Sequence, residues 1–191
     1  AALSSDKGEE EGRTSYEPGS AGMGTPAFKA RTPKPPDGLE PHPLLPREAV
    51  VLSIKSQTYD TTTYTLALKE GSFSFRPGQF NMVSLLGIGE APISLSSEPW
   101  REGSFDHTVR AVGNVTQALA RIREGDRLHL RGPYGRGWPI EEARGKNLLL
   151  VAGGIGLAPL RPLIVQVVAM REDFGQVEVL YGARTPDDLL F

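Results

Sequence analysis

The stretch NLLLVAGGIGLAP at residues 147–159 limits the possible folds of this chain more than any other segment. An unbroken apolar run, which predicts a parallel strand covered on both faces, breaks into three glycines within four positions. Apolar residues at helical spacing come next: Leu160, Leu163, Ile164, Val167 and Val168. We expect this helix to end at Gly175, after which VEVLYG reads as a second strand. The pattern therefore predicts a βαβ unit.

The glycine turn of this unit has the chemistry of a phosphate site. A helix N-terminus presents free N–H groups and the positive end of the helix dipole. Gly153, Gly154 and Gly156 allow a sharp turn and leave no Cβ in the way of a pyrophosphate. Pro159 stands where the last glycine of G-x-G-x-x-G would be, so a tight turn that binds nothing remains the alternative. We expect Pro159 and Pro162 in or near the first helical turn.

The residues before this unit have the pattern of a β-structure. Six short runs rich in β-branched and apolar residues are separated by turn residues: EAVVLSIKSQ, TTTYTLALK, FNMVSLLG, APISLSS, FDHTVRAV and RLHLRG. Leu128 and Leu130 alternate with polar residues and so share one face. A short helix, TQALARI, is expected before the turn REGDR. Six short strands within so few residues predict a small antiparallel barrel.

The sequence thus divides into three predicted regions. Residues 1–46 hold eight of the sixteen prolines and predict a disordered or extended arm, with docking on a partner as the alternative. Residues 47–143 form the six-stranded antiparallel barrel, and residues 144–191 form a Rossmann-like α/β domain, so the fold class is β plus α/β. One βαβ unit is only part of such a domain. We therefore expect it to be truncated here and the natural protein to continue beyond Phe191.

Composition excludes several classes of function. A net charge of -2 gives no reason to expect nucleic acid or an anionic membrane as a partner. No apolar run approaches the roughly 20 residues of a membrane span, and the N-terminus lacks a signal-peptide layout, so we expect a cytoplasmic protein. Cysteine is absent, which excludes disulfides and cysteine-ligated metals within this chain. His42, His107 and His129 show no metal-ligand spacing, so we expect no metal site and read them as solvent-facing or hydrogen-bonded.

Five motifs in a fixed order carry a family resemblance across residues 76–184. They are RPGQF, APISLSS, GNVT, RGPYGRGWP and AGGIGLAP. In this order they resemble the ferredoxin–NADP reductase superfamily, in which a flavin-binding barrel precedes a nicotinamide-nucleotide domain. The segments GEAPISLSS and GGIGLAPLRPLI are similar to those of one subgroup. That subgroup comprises the gamma subunits of cytoplasmic nickel–iron hydrogenases and the related electron-transfer subunits of sulfite reductase and dihydroorotate dehydrogenase.

The resemblance implies roles for individual residues. Ser94 would place its hydroxyl near the flavin N5 and is the expected catalytic residue. Ile93 stands where the family has a stacking tyrosine, and Ala91 stands where it has an arginine that meets the flavin pyrophosphate. Arg110 could supply that cation instead, or it could be an exposed strand charge; both remain open. Arg184 favours NADP, but with acidic residues close by we leave NAD versus NADP open.

The resemblance thus implies FAD and NAD(P) as cofactors. The residues expected around FAD are Ala91, Pro92, Ile93, Ser94, Thr108, Val109, Arg110, Gly113, Val115 and Thr116. Those expected around the nicotinamide nucleotide are Gly153, Gly154, Gly156, Leu157, Ala158, Pro159 and Arg184. The subgroup also binds a two-iron, two-sulfur cluster through cysteines near its C-terminus, which this chain could have only in a C-terminal continuation.

The function implied is that of a flavoprotein electron-transfer subunit. It would exchange hydride between NAD(P)H and FAD and pass electrons to iron–sulfur and hydrogenase-type subunits of a redox complex. The absence of a paired-carboxylate or Ser-His arrangement agrees with this, since the cofactors carry such chemistry. The alternatives are a flavin-fold assembly or interaction module without its own catalysis, and the reductase component of another complex.

Overall fold

The computed structural model describes residues 44–191, and the predicted arm at 1–46 lies outside the described residues except for its last three positions. The strands are β1 Arg47–Ser56, β2 Thr61–Leu68, β3 Phe80–Leu85, β4 Gly89–Ser94, β5 Phe105–Arg110, β6 Arg127–Tyr134, β7 Leu148–Gly153 and β8 Val177–Gly182. The α-helices are α1 Asn114–Leu119 and α2 Leu157–Ala169. Single 3-10 turns span Glu141–Ala143, Gly154–Gly156, Arg171–Asp173 and Pro186–Asp188.

The first six strands form the predicted antiparallel barrel. Their order in the sheet is β4-β3-β6-β1-β2-β5, and every neighbouring pair is antiparallel. The two end strands meet where Leu95 bridges His107 and the Ser96 N–H donates to the Asp106 carbonyl at 2.9 Å. These contacts join the two edges of the sheet beside β4 and β5, which protects both from pairing with another chain.

The barrel interior follows from the alternation in the sequence. Leu128 and Leu130 are 1% and 2% exposed, as their shared face predicts. They join a core that includes Val51, Leu66 and Phe105, on whose ring Phe73 stacks with 4.1 Å between centroids. Full burial of each large side chain contributes roughly 1.5–3 kcal/mol.

The βαβ unit is confirmed, and its helix packs on one face of the first strand. β7 and β8 pair in parallel, and Leu163 and Val167 of α2 pack with Phe174 against the side of β7 that carries Leu148 and Leu150. Of the two faces predicted to be covered, α2 covers one among the described residues, and coverage of the other stays a prediction. Leu149 and Val151 are 60% and 61% exposed, because α2 covers one face and no described element covers the other.

Both helices have bounds that differ from the prediction. The first begins at Asn114, two residues before TQALARI, because Gly113 is extended and starts the turn. The second ends at Ala169 and not at Gly175, and a 3-10 turn at Arg171–Asp173 follows it. Pro159 is its third residue, whereas Pro162 lies buried in its second turn. Among residues 44–191 no helix has the length and apolar character to cross a bilayer.

The barrel and the βαβ unit belong to one compact unit. Contacts between the two are therefore part of the fold, and the division at residues 143 and 144 remains a prediction. Trp138 lies on this junction: its backbone N–H donates to the Pro77 carbonyl at 2.8 Å, and its indole N–H donates to the Pro159 carbonyl at 3.5 Å. Gly78 lies against the indole, where a Cβ would come within 2.9 Å of the ring. RPGQF and RGPYGRGWP are thus packed together beside the start of α2.

Candidate functional site

A pocket opens between the barrel and the glycine loop. It brings together three segments that the sequence analysis singled out separately: the end of β5, the loop after β7 and the segment after β8. The lining residues are Thr58, Asp60, Thr61, Arg110, Gly154, Ile155, Arg184, Asp188 and Leu190. Two cations and two carboxylates therefore face a space bordered by the open backbone of the loop.

The glycine loop is shaped to admit a ligand to its backbone. Gly154 has φ +50°, a left-handed conformation that favours glycine. A Cβ built on Gly154 or Gly156 would meet nothing within 4 Å, so the space beside both residues is open. The Tyr181 hydroxyl donates to the Gly154 carbonyl at 3.1 Å and fixes the loop from β8. The loop then continues as a 3-10 turn directly into α2.

The GNVT segment forms a closed turn at the start of α1. The Thr116 hydroxyl accepts from the Gly113 N–H at 2.8 Å and the Val112 N–H at 3.1 Å, and it donates to the Gly113 carbonyl at 3.0 Å. Its hydroxyl therefore holds the turn and does not point a free donor outwards. In the described part of the chain the N–H groups of Asn114 and Val115 have no acceptor, as is usual in a first helical turn.

Arg110 is neither a free cation nor a bare surface charge. Its Nε donates to Asp60 Oδ2 at 2.6 Å, and the Arg110 side chain is 29% exposed. Partial desolvation raises the pKa of Asp60, but hydrogen bonds from Arg110, Thr61 and Thr58 outweigh it and leave the pKa lowered. The same bond raises the pKa of Arg110. Both groups are charged at neutral pH.

Asp60 could not be predicted from the sequence, because no motif marks it. Strand register places it: Thr61 is paired with Arg110 across β2 and β5, so the residue before Thr61 lies beside the guanidinium. Tyr181 was likewise missed, since a tyrosine in an apolar strand carries no signal of its hydroxyl contact.

The β4 motif is built into the barrel wall. Ile93 is 9% exposed within the core, Ala91 packs against that core opposite Val83, and Pro92 is exposed. Ser94 is half-buried at the end of the strand. Contact of Ile93 or Ser94 with a flavin ring remains a prediction.

The other predicted site residues differ in exposure. Thr108 and Val109 are buried in β5, and the Thr108 hydroxyl bonds to the hydroxyls of Thr63 at 2.8 Å and Ser96 at 2.9 Å. Val115 packs on the core from α1. Leu157 and Ala158 are buried in the first turn of α2. These side chains are therefore engaged in packing or in hydrogen bonds within the protein.

A buried histidine supports the Ser94 backbone. His107 Nδ1 donates to the Ser94 carbonyl at 2.8 Å, and its Nε2 accepts from Asn81 Nδ2 at 3.1 Å. Burial lowers the pKa of His107 to about 4, so the ring is neutral with its proton on Nδ1. His107 is thus the hydrogen-bonded strand histidine that the sequence allowed, while His42 lies outside the described residues. Within residues 44–191 no group of side chains has the composition and proximity of a metal site.

Comparison with known proteins agrees with this arrangement. Residues 48–138 match the oxidoreductase FAD-binding domain family, and residues 150–191 match the oxidoreductase NAD-binding domain family. The chain belongs to the ferredoxin–NADP reductase superfamily. The barrel is its FAD-binding domain, and the βαβ unit is part of its NAD-binding domain.

Curated relatives within this superfamily are subunits of redox enzymes. The chain is 42% identical to sulfhydrogenase 1 subunit gamma of Pyrococcus furiosus over 62% of its own length and 41% of the relative. It is 36% identical to sulfhydrogenase 2 subunit gamma of the same organism, over 75% and 51%. It is 35% identical to a probable dihydroorotate dehydrogenase B electron transfer subunit of Methanocella arvoryzae, over 76% and 52%. The chain spans about half the length of these relatives.

Solved structures show the same fold. The ferredoxin reductase in carbazole 1,9a-dioxygenase aligns with a TM-score of 0.67 and 25% identity, over 77% of this chain and 45% of that one. Phthalate dioxygenase reductase aligns with a TM-score of 0.68 and 20% identity, over 76% and 46%. The second likeness bears on the fold alone.

Proposed function

We propose that this chain is the cofactor-binding part of a flavoprotein electron-transfer subunit. In this proposal the subunit exchanges hydride between NAD(P)H and FAD and passes electrons to iron–sulfur partners in a cytoplasmic, hydrogenase-like complex. The observation that carries the proposal is the pocket in which Arg110, the Gly154 loop and Arg184 meet, since it lies between an FAD-binding and an NAD-binding domain. The naming of relatives as sulfhydrogenase gamma subunits supports the choice of complex.

The residues present fit the two cofactors. In the proposal a pyrophosphate takes the open space beside Gly154 and Gly156 at the start of α2. The free N–H groups of Asn114 and Val115, with Arg110 nearby in sequence, suit the flavin pyrophosphate. When bound, FAD accepts a hydride from NAD(P)H and gives up electrons singly, which the side chains of this cysteine-free chain do not do.

The protein's own part is to bind and orient. Tyr181 holds the nucleotide loop, Thr116 holds the GNVT turn, and His107 holds the carbonyl of Ser94. In the proposal the Ser94 hydroxyl lies at the reacting edge of the flavin and is available to hold a proton there. Arg184 lies in the pocket with Asp188, so a 2′-phosphate and a 2′-hydroxyl both have a partner of suitable charge.

The test is a visible spectrum of the full-length protein after incubation with FAD and removal of free flavin. Anaerobic NADH and NADPH are then added to separate samples. We expect flavin absorbance that stays with the protein and bleaches with one nucleotide in preference to the other. Retained flavin that neither nucleotide bleaches would overturn hydride exchange with NAD(P)H. Loss of all flavin would overturn the proposal and favour an assembly or interaction module.

A further inference from the structure

Arg161 ties the helix after the glycine loop to the barrel. Its Nη1 donates to the Ser96 carbonyl at 2.6 Å, and its Nη2 donates to Glu98 Oε1 at 3.2 Å. Arg161 lies in α2, two residues after Pro159, whereas Ser96 and Glu98 belong to the segment that leaves β4. The guanidinium therefore bridges the nucleotide half and the flavin half of the molecule.

The barrel end of this bridge is held rigidly. Ser96 is fully buried, its N–H donates to the Asp106 carbonyl at 2.9 Å, and its hydroxyl bonds to Thr108 at 2.9 Å. Two residues earlier, the carbonyl of Ser94 accepts from His107. β5 thus bonds this segment at Ser94 and at Ser96, and the Ser96 carbonyl offers α2 an acceptor that belongs to the barrel.

The carboxylate end of the bridge is also fixed. Glu98 pairs with Arg101, and Arg101 pairs in turn with Asp106 of β5 at 2.8 Å. Partial burial raises the pKa of Glu98, but its backbone hydrogen bond and the charges of Arg101 and Arg161 outweigh it and leave the pKa lowered. A planar guanidinium can reach a carbonyl and a carboxylate at once from two nitrogens, which a lysine ammonium reproduces poorly.

We propose that Arg161 is a positioning residue that sets the distance between the glycine loop and the Ser94 segment. This inference rests on the proposed function, in which a nucleotide on the glycine loop and a flavin on the barrel must meet across the crevice. Hydride transfer needs the reacting atoms about 3–3.5 Å apart, and a displacement of about 1 Å can cost about 100-fold in rate. Arg161 acts through the loop and Ser96.

The test compares Arg161→Gln and Arg161→Lys with Arg144→Gln in the flavin-loaded full-length protein. Arg144 is the control, because its guanidinium also makes two contacts, to the carboxylates of Glu141 and Asp173, but does not bridge to the barrel segment. For Arg161→Gln we expect flavin reduction at saturating nucleotide to slow by about 10- to 100-fold, with nucleotide Kd changed less than about threefold. The rate of flavin reduction in Arg161→Lys should lie between those of Arg161→Gln and the wild type. The rate in Arg144→Gln should match the wild type.

Two further measurements do not depend on turnover. Amide hydrogen exchange at residues 154–160 should quicken in Arg161→Gln without any nucleotide present, because the anchor of α2 is lost. The long-wavelength absorbance of a nicotinamide stacked on flavin should weaken in the same variant. Unchanged exchange together with an unchanged rate of reduction would overturn the inference, as would loss of bound flavin. Failure of the wild type to be reduced would instead overturn the proposed function, and the exchange experiment would still test the anchor.

Discussion

His107 Nδ1 donates to the carbonyl oxygen of Ser94 across 2.8 Å, and this bond joins β5 to the end of β4 where the barrel closes. The other ring nitrogen accepts from Asn81, so both nitrogens of the fully buried ring are used. A protonated ring would carry two N–H donors, and Nε2 would then face the Asn81 amide nitrogen. The closure of the barrel is therefore linked to the neutral form of His107.

The first prediction is a pH dependence of stability. The pKa of His107 is lowered from 6.5 to about 4 by burial, so between these values the unfolded ring binds a proton and the folded ring does not. The free energy of unfolding should fall by about 3 kcal/mol as pH drops from about 6.5 to about 4. Urea unfolding at intervals across this range measures it.

His107→Asn removes the titrating group while keeping an amide that can donate to Ser94. Its free energy of unfolding should be lower than that of the wild type at pH 7, but the difference should shrink as pH falls towards 4. Taking the difference between the two proteins cancels the contribution of carboxylates. Parallel pH curves would contradict the link between His107 and acid stability.

The second prediction concerns the turn before α1. Thr116→Val leaves the N–H groups of Val112 and Gly113 without their shared acceptor, so the GNVT backbone should lose its shape. We expect FAD affinity to fall at least about tenfold, which corresponds to about 1.4 kcal/mol. Thr116→Ser keeps the hydroxyl and should bind FAD like the wild type. Equilibrium dialysis with FAD measures both, and equal affinities in the two variants would show that the hydroxyl is unimportant.

The third prediction separates strain from ligand contact in the glycine loop. Gly154 and Gly145 both have positive φ, +50° and +74°, and a Cβ on either meets nothing within 4 Å. Changing either to Ala should therefore destabilise folding by a similar amount, about 1–2 kcal/mol. Only Gly154→Ala should also weaken nucleotide binding, by about tenfold or more, since Gly154 lines the pocket and Gly145 does not. Calorimetric titration with the oxidised nucleotide decides, and equal Kd values for both variants would argue against a nucleotide site here.

The fourth prediction tests Arg110 against an arginine in a similar pair. Arg110 pairs with Asp60 at 2.6 Å, and Arg131 pairs with Glu90 at 2.5 Å on another part of the barrel. Arg110→Gln should lower FAD affinity by about tenfold and reduce its dependence on salt, because a cation near the pyrophosphate is lost. Arg131→Gln should leave both unchanged. If both variants bind FAD like the wild type, Arg110 does not contribute to FAD binding and its role is confined to the ion pair with Asp60.

Local sequence patterns were enough to predict most of the fold. The alternation at Leu128 and Leu130 and the turn residues between short runs were enough to predict the six strands, because strand periodicity is a property of neighbouring residues. The apolar run before Gly153 and the helical spacing after Pro159 were enough to predict the βαβ unit. What they could not predict was which face of β7 the helix covers: α2 packs on the side of Leu148 and Leu150, and this depends on tertiary packing.

Part of the candidate site could also be predicted. Gly154, Arg110 and Arg184 lie in the pocket, as separate motifs suggested. Their partners could not be found in the same way. Asp60 is beside Arg110 only through the register of β2 and β5, and Arg161 reaches Ser96 across 65 positions in the chain.

The order of the elements, the place of the glycine turn and the family could all be predicted from local motifs, since each depends on residue types at short spacing. The three-dimensional arrangement was needed to show that His107 is buried and neutral, that Thr116 holds its own turn, and that Arg161 joins α2 to the barrel. The physical reason is that hydrogen bonds and desolvation depend on which distant groups come within about 3 Å. Strand register and helix packing bring those groups together, and no local pattern in the sequence encodes them.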